Sequence, residues 1–517
     1  MPGLQALQAA HSVAGMQTGT LISLAVYFAG MIAIGIYAWR MSTQDSEGYL
    51  LGGRDLGPAV TALSAGASDM SGWLLMGLPG AIFLSGFNQA WIGIGLVIGA
   101  YLNYRLVAPR LRTYTEIAGD AITVPDFLEE RYHDRSHTLR MISAVVIIVF
   151  FTLYTSSGMV AGGKLAESAL GLPYTTGVYL TAGVVVIYVV LGGFLAVSLT
   201  DFVQGVLMFI ALIAVPITAY SLLGGDFQTM IATAEANRQL APGVLSSLFE
   251  GVAPFAIISA AAWGLGYFGQ PHIIVRFMAI RSVKDIPTAR RINMVWMLGG
   301  LIGAIATGYI GAAWFAQDAY ALKDSETVFI MLSRILFHPL IYGFVLAAIL
   351  AAIMSTISSQ LLVTSSSLAE DIYHTVKGGS SAEDAPRASE REIVTVSRIA
   401  VVAVALVAGY LAMNPESSIL GLVANAWAGF GAAFGPVILF SLLWKRTSRA
   451  GALAGMVVGA LTVGLWIAAG WSSWLYEIVP GFILASLATW LVSLGSPGPS
   501  ADINMQFDAA AEAAKGA

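Results

Sequence analysis

The chain has 517 residues, 57% of them hydrophobic and 11% charged, with a mean hydropathy of +0.77; ordinary soluble proteins carry about a quarter charged residues, so this one is built for a lipid bilayer. A net charge of -5, from 25 Lys and Arg against 30 Asp and Glu, leaves no basic face and excludes nucleic acid as a partner. The absence of Cys excludes a disulfide framework, a thiol nucleophile and a cysteine-based metal site.

Residues 1–19 contain no Lys or Arg, so the basic start of a secretory signal is missing and the first apolar span is expected to be retained. A spanning helix needs about 20 mainly apolar residues. In chain order the predominantly apolar stretches of that kind are 20–39, 59–85, 89–104, 141–162, 175–197, 202–223, 252–275, 294–316, 340–362, 393–413, 419–443, 450–470 and 474–494, thirteen in all. The tail, 496–517, is rich in Ala, Gly and Pro with scattered acids and is expected to be a disordered cytoplasmic extension. Residues 1–495 thus read as a single membrane domain.

Cytoplasmic loops carry the excess of Lys and Arg. With the N-terminus outside, the outer loops hold only Lys164, Arg238, Lys323 and Arg334, and the other 21 of the 25 basic residues fall on the inner side. Among those, Arg105, Arg110, Arg112, Arg131, Arg135 and Arg140 share one inner loop, and Arg276, Arg281, Lys284, Arg290 and Arg291 another. The expected orientation is therefore N-terminus outside and C-terminus in the cytoplasm.

Two spans are irregular in the same way. The second places Ser68, Asp69 and Ser71 among small residues, with Pro79 further on, where a lipid-facing helix carries Leu and Ile. The seventh packs Trp263, Gly264, Gly266, Tyr267, Gly269 and Pro271 into nine positions, a glycine density that disfavours continuous helix. Both are expected to be broken helices. An offset of five spans makes them cross in opposite directions, so 59–223 and 252–443 read as an inverted repeat, with 20–39 added before it and 450–494 after it. Paired interrupted helices in such a repeat mark a binding site near the bilayer midplane.

Asp69 is the one carboxylate deep within a span, with Asp201 and Glu477 placed near span ends. A buried membrane carboxylate either attracts a cation or caps the broken helix by accepting backbone N–H bonds, and the two roles are compatible. The ninth span is dense in hydroxyls, with Ser355, Thr356, Ser358 and Ser359 followed by residues 364–367. Most such groups bond the carbonyl a turn back or bridge helices; Ser355 and Thr356, beside unwound carbonyls, also fit an oxygen cage for a hard monovalent cation. Trp263 and Tyr267, four apart, share a helix face and serve either packing or ligand contact. Tyr154, mid-span in the fourth stretch, either fills an interface or closes the same cavity. Gly451, Gly455 and Gly459 form a stripe suited to close helix packing. Without Cys, without paired intramembrane carboxylates and with five of six His outside mid-span regions, the chain is not expected to be an enzyme.

The runs LGGRDLGPAVTALSAGASDMSGWLLMGLPGAIF, AAWGLGYFGQPHIIVRFM and LAAIMSTISSQLLVTSSSLAEDIY resemble the sodium:solute symporter family, specifically its bacterial sodium/proline symporters. The similarity extends over nearly all the membrane spans. It implies an all-α protein of thirteen transmembrane helices with a LeuT-type five-plus-five inverted repeat, in the bacterial cell membrane. It implies a sodium site made of the carbonyls of Ala67, Met70 and Ala352 with the hydroxyls of Ser355 and Thr356, and Asp69 just beyond those ligands. For L-proline it implies Ser71, Trp73, Tyr154, Trp263 and Tyr267, and for coupling Arg54. Sodium would be the co-transported ion, one per proline, with no obligatory protein partner beyond membrane lipids. The alternative keeps fold and sodium coupling but carries another small solute: a different amino acid, pantothenate, a sugar or an osmolyte.

Overall fold

The computed structural model describes residues 18–41, 46–317, 322–378 and 389–516, so most of the basic-free start lies outside the described residues. Among those described, ten helical runs are long and apolar enough to cross a membrane. The helices are α1 (Thr18–Met41), α2 (Pro58–Asp69), α3 (Leu78–Ser85), α4 (Ala90–Leu106), α5 (Ala108–Ile117), α6 (Val124–Tyr132), α7 (Thr138–Leu170) and α8 (Tyr174–Ser221). After them come α9 (Phe227–Asn237), α10 (Pro254–Ala261), α11 (Pro271–Ala279), α12 (Ile286–Trp314), α13 (Val328–Leu336), α14 (Pro339–Ser366), α15 (Glu390–Leu411), α16 (Ile419–Leu443), α17 (Arg449–Ala468), α18 (Ile478–Gly495) and α19 (Ala501–Ala513).

The second and seventh apolar stretches are broken, as their composition requires. α2 ends at Asp69, Met70 leaves helical geometry (φ -81°, ψ 68°), and a π-helical turn at Trp73–Gly77 leads into α3. In the seventh, α10 tightens into a 3-10 segment, Ala262–Gly269, Gln270 is extended, and Pro271 opens α11. Their directions follow from three contacts. Leu56, just before α2, pairs with Ile280, just after α11; Ser64 meets Arg276 mid-way; Asp69 meets Tyr267 at the breaks. α2 therefore runs opposite to α11.

The fifth and sixth stretches are not separated where the sequence suggests. They form one 48-residue run bent at Gly193 (φ 58°, ψ -154°), a conformation open to glycine alone. A Cβ there would also stand 2.7 Å from the Tyr49 carbonyl oxygen. Asp201, assigned from sequence to a span end, consequently lies eight residues inside a helix and is fully buried.

Arg276 and Arg131, counted from sequence as inner-loop charges, are likewise inside the protein. Arg276 pairs with Asp201. Arg131 donates to the Ser441 carbonyl (3.0 Å) and lies over the rings of Tyr114, Tyr132 and Phe507. The glycine stripe of α17 packs closely, as expected: Cβ atoms at Gly451 and Gly455 would fall about 2 Å from the Ser493 and Thr489 hydroxyls.

The tail departs from the expected disorder. Ser500 caps α19 by accepting from the Ile503 N–H, and Ile503, Phe507 and Ala510 line one buried face at i, i+4 and i+7. Phe507 meets Tyr114 edge-on, and Thr113 donates to the Ala510 carbonyl (3.0 Å). The amphipathic spacing is present in the sequence, but its Ala-rich composition hides it.

Candidate binding site between the broken helices

At the first break four of the five oxygens assigned to a cation come together. The Ser355 hydroxyl donates to the Ala67 carbonyl (2.8 Å) and the Ala352 carbonyl (3.2 Å), and the Thr356 hydroxyl also reaches Ala352 (3.2 Å). Ser355 and Ala67 belong to separate helices, so their contact ties α14 to the end of α2. Met70, the remaining member, sits at the turn where α2 stops. This donor set is all oxygen with no formal charge, which suits a hard cation. A cation here would exchange hydroxyl-to-carbonyl hydrogen bonds for its own coordination and so would alter how α2 meets α14.

Asp69 stands two positions after Ala67, 1% exposed, with one carboxylate oxygen accepting from the Tyr267 hydroxyl. Its backbone carbonyl accepts from the Trp73 indole N–H (3.1 Å), the Tyr154 hydroxyl (3.4 Å) and the Ser71 N–H (2.9 Å). The shape of the break thus positions three of the five residues assigned to a substrate.

Trp263 comes to the same place from the second break, its ring 5.9 Å from that of Trp73. All five, Ser71, Trp73, Tyr154, Trp263 and Tyr267, are no more than 5% exposed, so the site is closed to solvent in this conformation. Tyr267 divides its role: its ring meets Trp427 edge-on while its hydroxyl serves Asp69.

Two aromatic neighbours, Trp427 and Tyr476, were not singled out from sequence. Trp427 stacks on Trp263 and donates its indole N–H to the Trp263 carbonyl (2.7 Å), satisfying backbone that the 3-10 geometry leaves free. Gly266 makes room for it, since a Cβ there would sit 1.9 Å from the Trp427 indole nitrogen. Tyr476 stacks on the same tryptophan at 5.6 Å. His272, beside Pro271, stands edge-on to Phe151 and Tyr154. Its place beside Pro271 in the broken stretch was a usable signal; Trp427 and Tyr476, from uninterrupted apolar stretches, offered none.

Arg54 is not at the site. It ties several segments together at one end of the molecule: in the left-handed run that includes Gly52 and Gly53 (φ 52° at Arg54), it donates to the Ala121 carbonyl (2.7 Å), pairs with Asp120 (2.8 Å) and reaches the Met278 carbonyl (3.4 Å). Arg112 grips the adjoining Ile280 carbonyl. At the opposite end, beyond α3, Glu326 accepts from Lys164 (2.8 Å), Ser418 (3.2 Å) and the N–H groups of Ile419 and Leu420 at the start of α16 (3.1 Å each). Between these ends, Asp201 and Arg276 form a second fully buried polar knot with Ser64 and Ser359.

The model of the sodium:solute symporter family matches residues 49–459. The chain is 56% identical over 478 residues to the high-affinity proline transporter PutP of Bacillus subtilis, covering 92% of this chain and 98% of that one. It is 54% identical over 487 residues to the osmoregulated proline transporter OpuE of the same organism (94% and 96%), and 52% over 500 residues to a sodium/proline symporter of Staphylococcus aureus (95% of each). Among solved structures, a Na+-coupled sialic acid symporter superposes with a TM-score of 0.77 at 18% identity, covering 94% of this chain and 99% of that one. The nucleobase-cation-symport transporter Mhp1 does so at 0.52 and 12%, covering 89% and 98%. At those identities the structural likeness speaks for the fold. The matched length and the identity to curated relatives decide the affiliation: the chain belongs to the sodium:solute symporter family.

Proposed function

We propose that the chain is a sodium-coupled importer of L-proline, working by alternating access in the bacterial cell membrane and moving one sodium ion per proline. The observation that carries this reading is the meeting of the Ser355 hydroxyl with the Ala67 carbonyl at the break of α2, directly beside a buried aromatic cluster. The names of its relatives, proline transporters and a sodium/proline symporter, support the cargo.

On this reading sodium binds among Ala67, Met70, Ala352, Ser355 and Thr356, and proline among Ser71, Trp73, Tyr154, Trp263 and Tyr267, whose rings bound the pyrrolidine. Coupling follows from chain connectivity. One residue, Ser68, separates the carbonyl of Ala67, which faces the ion, from that of Asp69, which holds Trp73 and Tyr154. Seating the ion fixes the break, and the break sets the aromatic walls. Arg54 closes the inner end until both ligands are in place.

The reading includes thirteen crossings, N-terminus outside and C-terminus inside, and an inverted repeat of 59–223 against 252–443. The opposed directions of α2 and α11 support that repeat.

Proline is a zwitterion without net charge, so the cycle carries one positive charge inward. That is worth about 2.3 kcal/mol at 100 mV, and a tenfold sodium gradient adds about 1.4 kcal/mol. The total of about 3.7 kcal/mol sustains a several hundred-fold proline gradient with a single ion.

The test is proline uptake into proteoliposomes with and without an imposed sodium gradient, with unlabelled amino acids, pantothenate, sugars and osmolytes as competitors. Sodium-dependent uptake inhibited by proline alone supports the proposal. Equal or stronger inhibition by another solute reassigns the cargo, and sodium-independent uptake rejects the coupling.

A further inference from the structure

A second polar cavity lies against another face of α2, with no contribution from α14 and therefore apart from Ser355 and Thr356. It leaves room for about one water-sized particle, and its polar lining is Asp69, Asn103, Tyr104, Tyr267 and Asn293, with apolar side chains around them. In this lining, one carboxylate oxygen of Asp69, both side-chain atoms of Asn103, the Tyr104 hydroxyl and the amide oxygen of Asn293 have no hydrogen-bond partner in the protein. The four residues are at most 4% exposed. Buried polar groups are nearly always paired, so five unpaired atoms from α2, α4 and α12 around one cavity call for a ligand.

The donors state its class. The acceptors are a carboxylate oxygen, two amide oxygens and a phenol oxygen, all hard; no Lys or Arg lines the cavity, so the charge of Asp69 has no protein counter-ion there. An anion is excluded by Asp69. A divalent ion is poorly matched by a single carboxylate, and oxygen donors of this kind select hard cations. The cavity is also shaped around Asn293: a Cβ at Gly66 would stand 2.8 Å from its amide oxygen, so glycine at that position lets the amide lie against α2.

We infer that Asp69, Asn103, Tyr104 and Asn293 form a second monovalent-cation site, distinct from the one at Ser355 and Thr356 and sharing with it only the broken end of α2. The inference rests on the sodium-coupled reading and adds a second bound ion to it. Asp69 then serves as a direct ligand on this side, while its backbone carbonyl arranges Trp73 and Tyr154 on the other.

The test counts ²²Na bound at equilibrium to the purified full-length protein in nanodiscs, at saturating sodium and without proline. Two ions per chain are expected. The Ser355→Ala, Thr356→Ala double variant keeps one, Asn103→Leu with Asn293→Leu keeps one, and all four changes together keep none. Because the unaltered protein already distinguishes two ions from one, the result does not depend on any variant folding. One ion per chain, lost on changing Ser355 and Thr356, overturns the inference, assigns an ordered water to the cavity and leaves sodium coupling intact. No bound sodium at all rejects both the inference and the coupled reading. Full sodium occupancy in the Asn103, Asn293 variant also overturns it.

Discussion

Replacing Ser355 with alanine separates a ligand role from a packing role, and the structure supplies the magnitudes. Without sodium the hydroxyl donates to the Ala67 and Ala352 carbonyls at 2.8 and 3.2 Å. Losing a neutral hydrogen bond of that kind costs about 0.5–1.5 kcal/mol of stability. With sodium bound the same oxygen faces a charge, and contacts to charged groups are worth about 1.5–3 kcal/mol. The difference, about 1–1.5 kcal/mol, weakens sodium binding roughly tenfold. Ser355→Ala is therefore expected to raise the sodium concentration for half-maximal proline uptake about tenfold while lowering the stability of the sodium-free protein by only about 1 kcal/mol. Both are readable in proteoliposomes and in thermal unfolding of the detergent-solubilised protein. A comparable loss of stability with an unchanged sodium requirement would make Ser355 a packing residue and refute the assignment.

Other expectations concern the aromatic wall and the two ends. Gly266→Ala places a methyl 1.9 Å from the Trp427 indole nitrogen, so Trp427 must leave the Trp263 carbonyl; proline half-saturation is expected to rise at least tenfold, and an unchanged value would remove Trp427 from the site's support. Lys164→Met leaves Glu326 buried with hydroxyl and N–H donors but no counter-ion. A stability loss of about 2–3 kcal/mol is expected, below the 3–5 kcal/mol typical of a fully orphaned charge, and adding Glu326→Gln should recover most of it. Because the chain has no Cys, a single Ala279→Cys reports on the Arg54 end. It should resist an impermeant thiol reagent supplied from that side and become reactive when Arg54→Ala is added; equal reactivity in both would show that Arg54 does not hold that end closed.

The two broken helices were legible because local composition departs from that of a lipid-facing helix: small and polar residues around Asp69 in one stretch, and Gly264, Gly266, Gly269 and Pro271 in the other. The hydroxyl pair of α14 was legible for a related reason, as Ser355 and Thr356 are costly choices in lipid. What escaped reading depends on partners far away in sequence. Gly193 looks like any glycine in an apolar run until Tyr49 is placed against it, and without that bend Asp201 falls at a span end. Arg276 was counted as a loop charge because its partner, Asp201, is 75 positions earlier. Trp427, within the apolar helix α16, gains its place only through the carbonyl of Trp263, and Tyr476, just ahead of α18, only through the Trp263 ring. In the tail, the spacing of Ile503, Phe507 and Ala510 was visible but needed the surface formed by Thr113, Tyr114 and Arg131 to give it meaning.

Reciprocity of binding tests the central claim most directly: an ion at one face of the α2 break and an imino acid at the other stabilise the same shape of that break. Equilibrium dialysis of the full-length protein gives proline affinity with sodium saturating and absent, and sodium affinity with proline saturating and absent. Linkage requires the two enhancement factors to be equal, and both are expected to be well above one. Factors that differ, or that both equal one, would contradict a shared break as the means of coupling.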